Sequence, residues 1–179
     1  MKFKKEEIFF LVFNEVLKLE IEKGHLKWSL SAISRNTNVT RTLIYYYFGN
    51  DREKLLLEAM KFMAKKIWSL DYFDHRKRII DRLDGVLELS KKYPYLFLHY
   101  YMNRTNPNEM GQIIRESEKQ FLINLGREFP VLNKNEIFMI YLLELGAISY
   151  QSLTRKQLLW VQKFLFTLYR KTKATKNNK

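Results

Sequence analysis

Proline and glycine interrupt regular structure more than other residues. Here they number only three and six in 179 residues. They are expected to fall between long segments whose apolar residues recur at helical spacing. No strand-period alternation of useful length occurs, and no internal repeat. These features predict an all-α chain of about nine helices. The first covers about Lys5 to Lys23. Ile8, Leu11, Val12, Glu15, Val16 and Leu19 follow its 3, 4, 7, 8 spacing, and Phe9, Phe10, Phe13 and Leu17 widen the apolar face. Gly24 suits its C-terminal end. Ser29 can cap a short helix from Leu30 to about Thr37, with Leu30, Ile33 and Thr37 inward. Asn36-Thr37-Asn38 breaks the pattern. Thr40 can cap a third helix to about Phe48, and Asp51 or Asn50 a fourth that buries Leu55, Leu56, Ala59, Met60, Met63 and Ile67.

Further helices follow. One spans about 75–92, with Ile79, Ile80, Leu83, Val86, Leu87 and Leu89 as its apolar set. One runs from Pro94 to Asn103 and one from the Asn106-Pro107-Asn108 loop to about Phe129. Asn133 with Glu136 resembles a capping box and opens a helix to about Ser152. Thr154 caps the last helix. The expected organisation is a helix-turn-helix domain over residues 1–50, joined through a helix at 51–69 to a helical domain over 70–179.

Charge is unevenly spread. Lys and Arg total 32 against 19 Asp and Glu, a net +13. Residues 1–66 contribute +5, residues 67–144 zero and residues 145–179 +8. No acid lies between Glu22 and Asp51. Basic patches attract polyanions, nucleic acid first among them. The longest apolar run is Ile137 to Leu143, far short of a membrane span of about 18 residues. The amphipathic start is unlike a signal peptide. A soluble cytoplasmic protein with no membrane partner is expected. Cysteine is absent, which removes disulfides, thiolate metal sites and a Cys nucleophile. His25, His75 and His99 are widely separated, and no phosphate-binding loop, dinucleotide fingerprint or nucleophile elbow is present. Nothing nominates a reaction, a metal or a cofactor, and a non-enzyme is expected.

The segment from Ser29 to Phe48 carries the most information. Two short capped helices joined by a tight turn form a helix-turn-helix, whose second helix is the right length for a DNA major groove. Ser29 and Thr40 sit at helix N-termini, which favour phosphate. Arg41 can pair with a guanine edge. Thr42 can meet a thymine methyl or a phosphate, and Tyr45 and Tyr46 add rings and hydroxyls one turn on. Tyr47 points further round and is as suited to packing as to contact. Val39, Ile44 and Phe48 fall on the face that anchors the helix.

In these residues the chain resembles the TetR family of transcriptional regulators. Ser29, Ile33-Ser34, Asn38-Val39, Thr40, Arg41-Thr42, Ile44-Tyr45-Tyr46-Tyr47-Phe48 and Leu55-Leu56 stand where that family has its helix-capping residue, Ile-Ala pair, Gly-Val turn, variable pair, Leu-Tyr-x-x-Phe and following apolar pair. The match covers residues 5–66. It departs at Asn38, where the family has Gly, and at Ser34 and Thr37, where it has Ala. The family's Lys after the Phe also has no counterpart, because the segment from Phe48 to Leu55 is one residue longer. Arg52 or Lys54 is left to supply that phosphate contact, Arg52 being preferred. The resemblance implies a homodimeric repressor on a palindromic operator, with no cofactor, released when a small molecule binds the C-terminal domain.

In that domain, Met60, Met63, Ile67, Trp68, Tyr72, Phe97, Tyr100, Tyr101, Met102, Ile114 and Phe121 could line a cavity for an apolar or amphipathic effector. Met63, Ile67, Tyr100, Tyr101 and Phe121 are its main candidates. Such residues also serve as plain core. The last two helices are apolar nearly all round, so they need burial on two sides. A second subunit is one such cover, with Tyr141, Leu145, Gly146, Trp160 and Phe164 at the interface. The chain's own fold is the other. The tail lysines Lys171, Lys173, Lys176 and Lys179 are expected to be solvated. The rival to a DNA-binding regulator is a helical protein-interaction module with a degenerate helix-turn-helix.

Overall fold

The computed structural model describes residues 4–68, 79–130 and 132–150, and positions 154, 156, 157, 159–161, 163, 164 and 167. For residues 66, 67, 79–83, 86 and 128 only the backbone is described. The expected roles of Ile67, Tyr72, His75, Ile79, Ile80, Leu83 and Val86 therefore lie outside the described side chains. So do those of Leu158, Leu165, Phe166, Leu168, Tyr169 and the tail lysines. Among the described residues the chain is all-α, as expected. Eight helices have defined ends: α1 Lys5–Lys23, α2 Leu30–Thr37, α3 Arg41–Phe48, α4 Arg52–Trp68, α5 Ile79–Lys92, α6 Pro94–Asn103, α7 Glu109–Glu128 and α8 Lys134–Tyr150. Helical backbone at the described positions from 156 to 167 marks a ninth, α9. No described helix is long and apolar enough to cross a membrane.

Local chemistry sets the ends. The Ser29 and Thr40 hydroxyls accept from the amides of Ala32 and Leu43, and Asp51 accepts from Lys54 N at 3.0 Å. Asn133 and Glu136 form a reciprocal capping box, as do Thr154 and Gln157. Pro94 occupies the first turn of α6. Only Gly24 and Gly49 fall between helices. The other four glycines lie inside α5, α7 and α8, contrary to the sequence reading, because tertiary packing overrides glycine's modest helix penalty. Gly111 has a steric reason: a Cβ there would lie 2.1 Å from Asn106 O and 2.7 Å from Asn103 O. The α6–α7 turn closes on that bare backbone, and Arg115 Nη1 clamps it by donating to Arg104 O and Asn106 O.

The chain divides into two compact units. The first comprises residues 1–66 and 93–117, the second residues 67–92 and 118–179. Residues 93–117, assigned from sequence to the second domain, thus cluster with the N-terminal helices. In the first unit α1 is the central element and packs against α2 and α6. Its Val12, Val16 and Leu17 are completely buried, and Phe9, Phe13, Phe48 and Phe62 interlock with ring centroids 4.9–6.0 Å apart. Leu11, expected inside, is exposed. Glu15, which falls on the same spacing, is buried, and so is Glu20, each with hydrogen-bond partners. Glu15 Oε1 accepts from Asn36 Nδ2 of α2 at 2.7 Å. Glu20 accepts from Leu26 N and the Trp28 indole, and lies 2.7 Å from His25 Nδ1. It thereby organises the loop leading into α2. The buried His99 of α6 meets Leu17 O of α1 through Nε2 at 3.0 Å.

In the second unit α5 packs on α8. Phe121, Leu125, Ile137, Ile140, Tyr141 and Ile148 are buried, with the Phe121 and Tyr141 rings 5.6 Å apart.

Candidate nucleic-acid interface

The turn between α2 and α3 works as the sequence suggests. Asn38 has φ 59° and ψ 15°, the left-handed conformation that Asn tolerates better than most residues. Thr37 is a working part of it: its hydroxyl donates to Ile33 O at 2.7 Å and accepts from Val39 N at 3.3 Å. Val39, Ile44 and Phe48 are buried and fix α3 to its neighbours. That leaves Arg41, Thr42, Tyr45 and Tyr46 facing solvent. At 100° per residue these four lie within an arc of about 140°. Tyr46 is 78% exposed and Tyr45 49%. Burying such rings on a partner removes far more apolar area from water than burying small polar residues does.

Tyr47 takes the packing role. It is half-buried, edge-on to Phe9 at 5.4 Å, and Lys5 Nζ lies over both rings at 5.5–5.7 Å. Arg41 is not a loose side chain, because its Nη1 donates to Ser31 Oγ on α2 at 3.3 Å. Ser31 was not singled out from sequence. It stands ten residues from Arg41, and no local pattern reports such a pairing. Ser29 and Thr40 are exposed N-caps whose hydroxyls already hold amides of their own helices.

Arg52 differs from expectation. Its Nη1 donates to Leu26 O at 2.7 Å and Trp28 O at 3.0 Å. Together with Glu20 it holds the α1–α2 loop from both sides. One nitrogen of the guanidinium thus clamps the backbone, and the side chain stays exposed. Lys54, the other candidate, is exposed and lies only 3.9 Å from Glu58.

The expected effector residues are divided between the two units. Met63 and Tyr100 are buried in the first unit, and Tyr101 is exposed there. Phe121 is buried in the second unit, to which Ile67 also belongs. Of the expected interface residues, Tyr141 is 2% exposed within the single chain and belongs to its own core. Its ring is held by Phe121 and Phe138. Leu145 is half-buried and Gly146 exposed. Trp160 and Phe164 are exposed and stack with centroids 6.0 Å apart. Phe138, Met139, Leu142 and Tyr150 of α8 are also exposed. Among the described residues no group of three His, Cys, Asp or Glu is arranged to hold a metal ion. No family model matches the chain, and no curated protein and no solved structure matches it either.

Proposed function

We propose that the chain is a sequence-specific DNA-binding transcriptional regulator of TetR type. It acts as a homodimer on a palindromic operator, and a small molecule releases it. The observation that carries this reading is the solvent face of α3. An acid-free helix, anchored through Ile44 and Phe48, offers Arg41, Thr42, Tyr45 and Tyr46 together, with its N-terminus capped by Thr40. Arg41 reads a guanine edge, and the tyrosines meet bases or backbone one turn on. Lys54 supplies a phosphate contact at the start of α4. The exposed apolar residues of α8, with Trp160 and Phe164, support pairing with a second copy, since large exposed apolar groups gain from being covered.

Arg41→Ala and Tyr46→Ala are each expected to weaken binding to an operator duplex by about 1–3 kcal/mol. Both side chains are exposed, so the fold is retained. Equal affinity of parent and variants would remove these residues from the interface. The rival, an interaction module, predicts no preference for a palindrome over scrambled duplex at any salt concentration.

A further inference from the structure

Arg41 is the first residue of α3, directly after its N-cap Thr40. The positive end of the helix dipole lies there, so a cation at this position is disfavoured and does not serve the stability of α3. Among the described residues no carboxylate pairs with it: the ion pairs are His25–Glu20, Lys54–Glu58 and Lys61–Glu109. Its partner is instead a neutral hydroxyl. Ser31 Oγ, in the first turn of α2, accepts from Arg41 Nη1 at 3.3 Å.

Both the partner and the nitrogen matter. A carboxylate would hold the guanidinium more strongly, but it would cancel the charge and compete with an incoming acceptor. A hydroxyl sets the direction of the side chain and leaves the charge intact. Nη1 also lies off the side edge of the planar fork, which Nε and Nη2 form. Two parallel N–H donors on that edge match O6 and N7 of guanine. Ser31 is half-buried on α2, which packs on both α1 and α3 and is tied to α1 through Asn36 and Glu15. The hydroxyl is thus presented by a fixed helix rather than by a loop.

We propose that Ser31 is a positioning residue for base recognition: it holds Arg41 so that the Nε–Nη2 edge meets one guanine of each operator half-site. This role rests on the reading of α3 as a recognition helix, and it places part of the specificity of α3 on a residue of α2. A side chain ordered before contact loses less freedom on binding, so the gain appears as affinity for the matched site. Ser31 acts through Arg41 alone. Affinity for unmatched duplex is set by phosphate charge and does not depend on it.

Nitrogen-15 relaxation of the Arg41 Nε–H group in the free full chain reads the tether without DNA. Ser31→Ala should lower the order parameter of that group, and Ser31→Thr, which keeps the hydroxyl, should restore it. Alanine is a good helix former, so the fold is retained, checked by circular dichroism. On the duplex that the parent selects, Ser31→Ala should bind about threefold to tenfold more weakly, the range of one hydrogen bond. Scrambled duplex should be bound as before, and Ser31→Thr should bind like the parent. In an Arg41→Ala background, Ser31→Ala should have no further effect. Unchanged order at Arg41, unchanged operator affinity, or an equal loss in the Arg41→Ala background would each overturn the positioning role and leave DNA reading by α3 in place. A parent that selects no sequence would overturn that reading itself, and the role of Ser31 with it.

Discussion

Replacing Glu20 by Ala removes one carboxylate that holds three groups of the loop into α2. Two of the lost hydrogen bonds, from the Trp28 indole and Leu26 N, are buried or partly buried, and Trp28 itself is 3% exposed. Hydrogen bonds to a charged acceptor contribute about 1.5–3 kcal/mol each, mostly as the penalty for stranding the donor. The His25 pair is discounted, since that ring is 73% exposed. Water entering the space left by the carboxylate offsets part of the loss. A destabilisation of about 3 kcal/mol is expected, a large share of the 5–15 kcal/mol typical of a domain. The assay is urea unfolding followed by tryptophan fluorescence and far-ultraviolet circular dichroism. Glu58→Ala serves as a control, because its surface pair with Lys54 contributes at most about 1 kcal/mol. Glu20→Gln keeps the volume and one acceptor and should fall between. If Glu20→Ala unfolds within about 0.5 kcal/mol of the parent, the loop is not held by this carboxylate.

Three further perturbations have defined outcomes. Gly111→Ala drives a methyl into the backbone carbonyls of Asn106 and Asn103 and should cost at least about 2 kcal/mol in the same unfolding assay. Burial pushes the His99 imidazole below its ordinary pKa of 6.5, so the unfolded chain binds the extra proton first as pH falls. Its contribution is fully present above about pH 6.5 and declines as pH falls toward the folded-state value, and His99→Gln should flatten that part of the stability profile. Leu142→Asp places a charge on the exposed apolar face of α8, and sedimentation should show it converting dimer to monomer, whereas a monomeric parent would refute the pairing.

The parts of the fold that rest on neighbours in sequence were legible. Caps at Ser29, Thr40, Asn133 and Thr154 depend on groups within three residues, and each forms as its residue type dictates. The anchoring face of α3 follows from helical periodicity, and Val39, Ile44 and Phe48 are buried accordingly. Polar burial was legible only as position: Glu15 falls on the inward spacing of α1, but its donor, Asn36, lies twenty-one residues on. Arg52 Nη1 is tied to the α1–α2 loop because carbonyls 24 and 26 residues earlier lie within its reach. Apolar spacing singles out Met63, Tyr100 and Phe121 as effector contacts, and all three are buried, because such spacing does not distinguish a core face from a cavity wall. Tyr141 was placed at an interface because periodicity registers that a face is apolar but not which neighbour covers it.

Selection of bound sequences from random duplex DNA tests the regulator reading most directly. An enriched palindrome is expected, its half-sites spaced by about one helical turn or a multiple of it, with affinity falling steeply as salt rises. Arg41→Ala should relax the preference at one guanine in each half-site. Recovery of no common sequence, with equal weak binding to every duplex, would contradict DNA reading by α3.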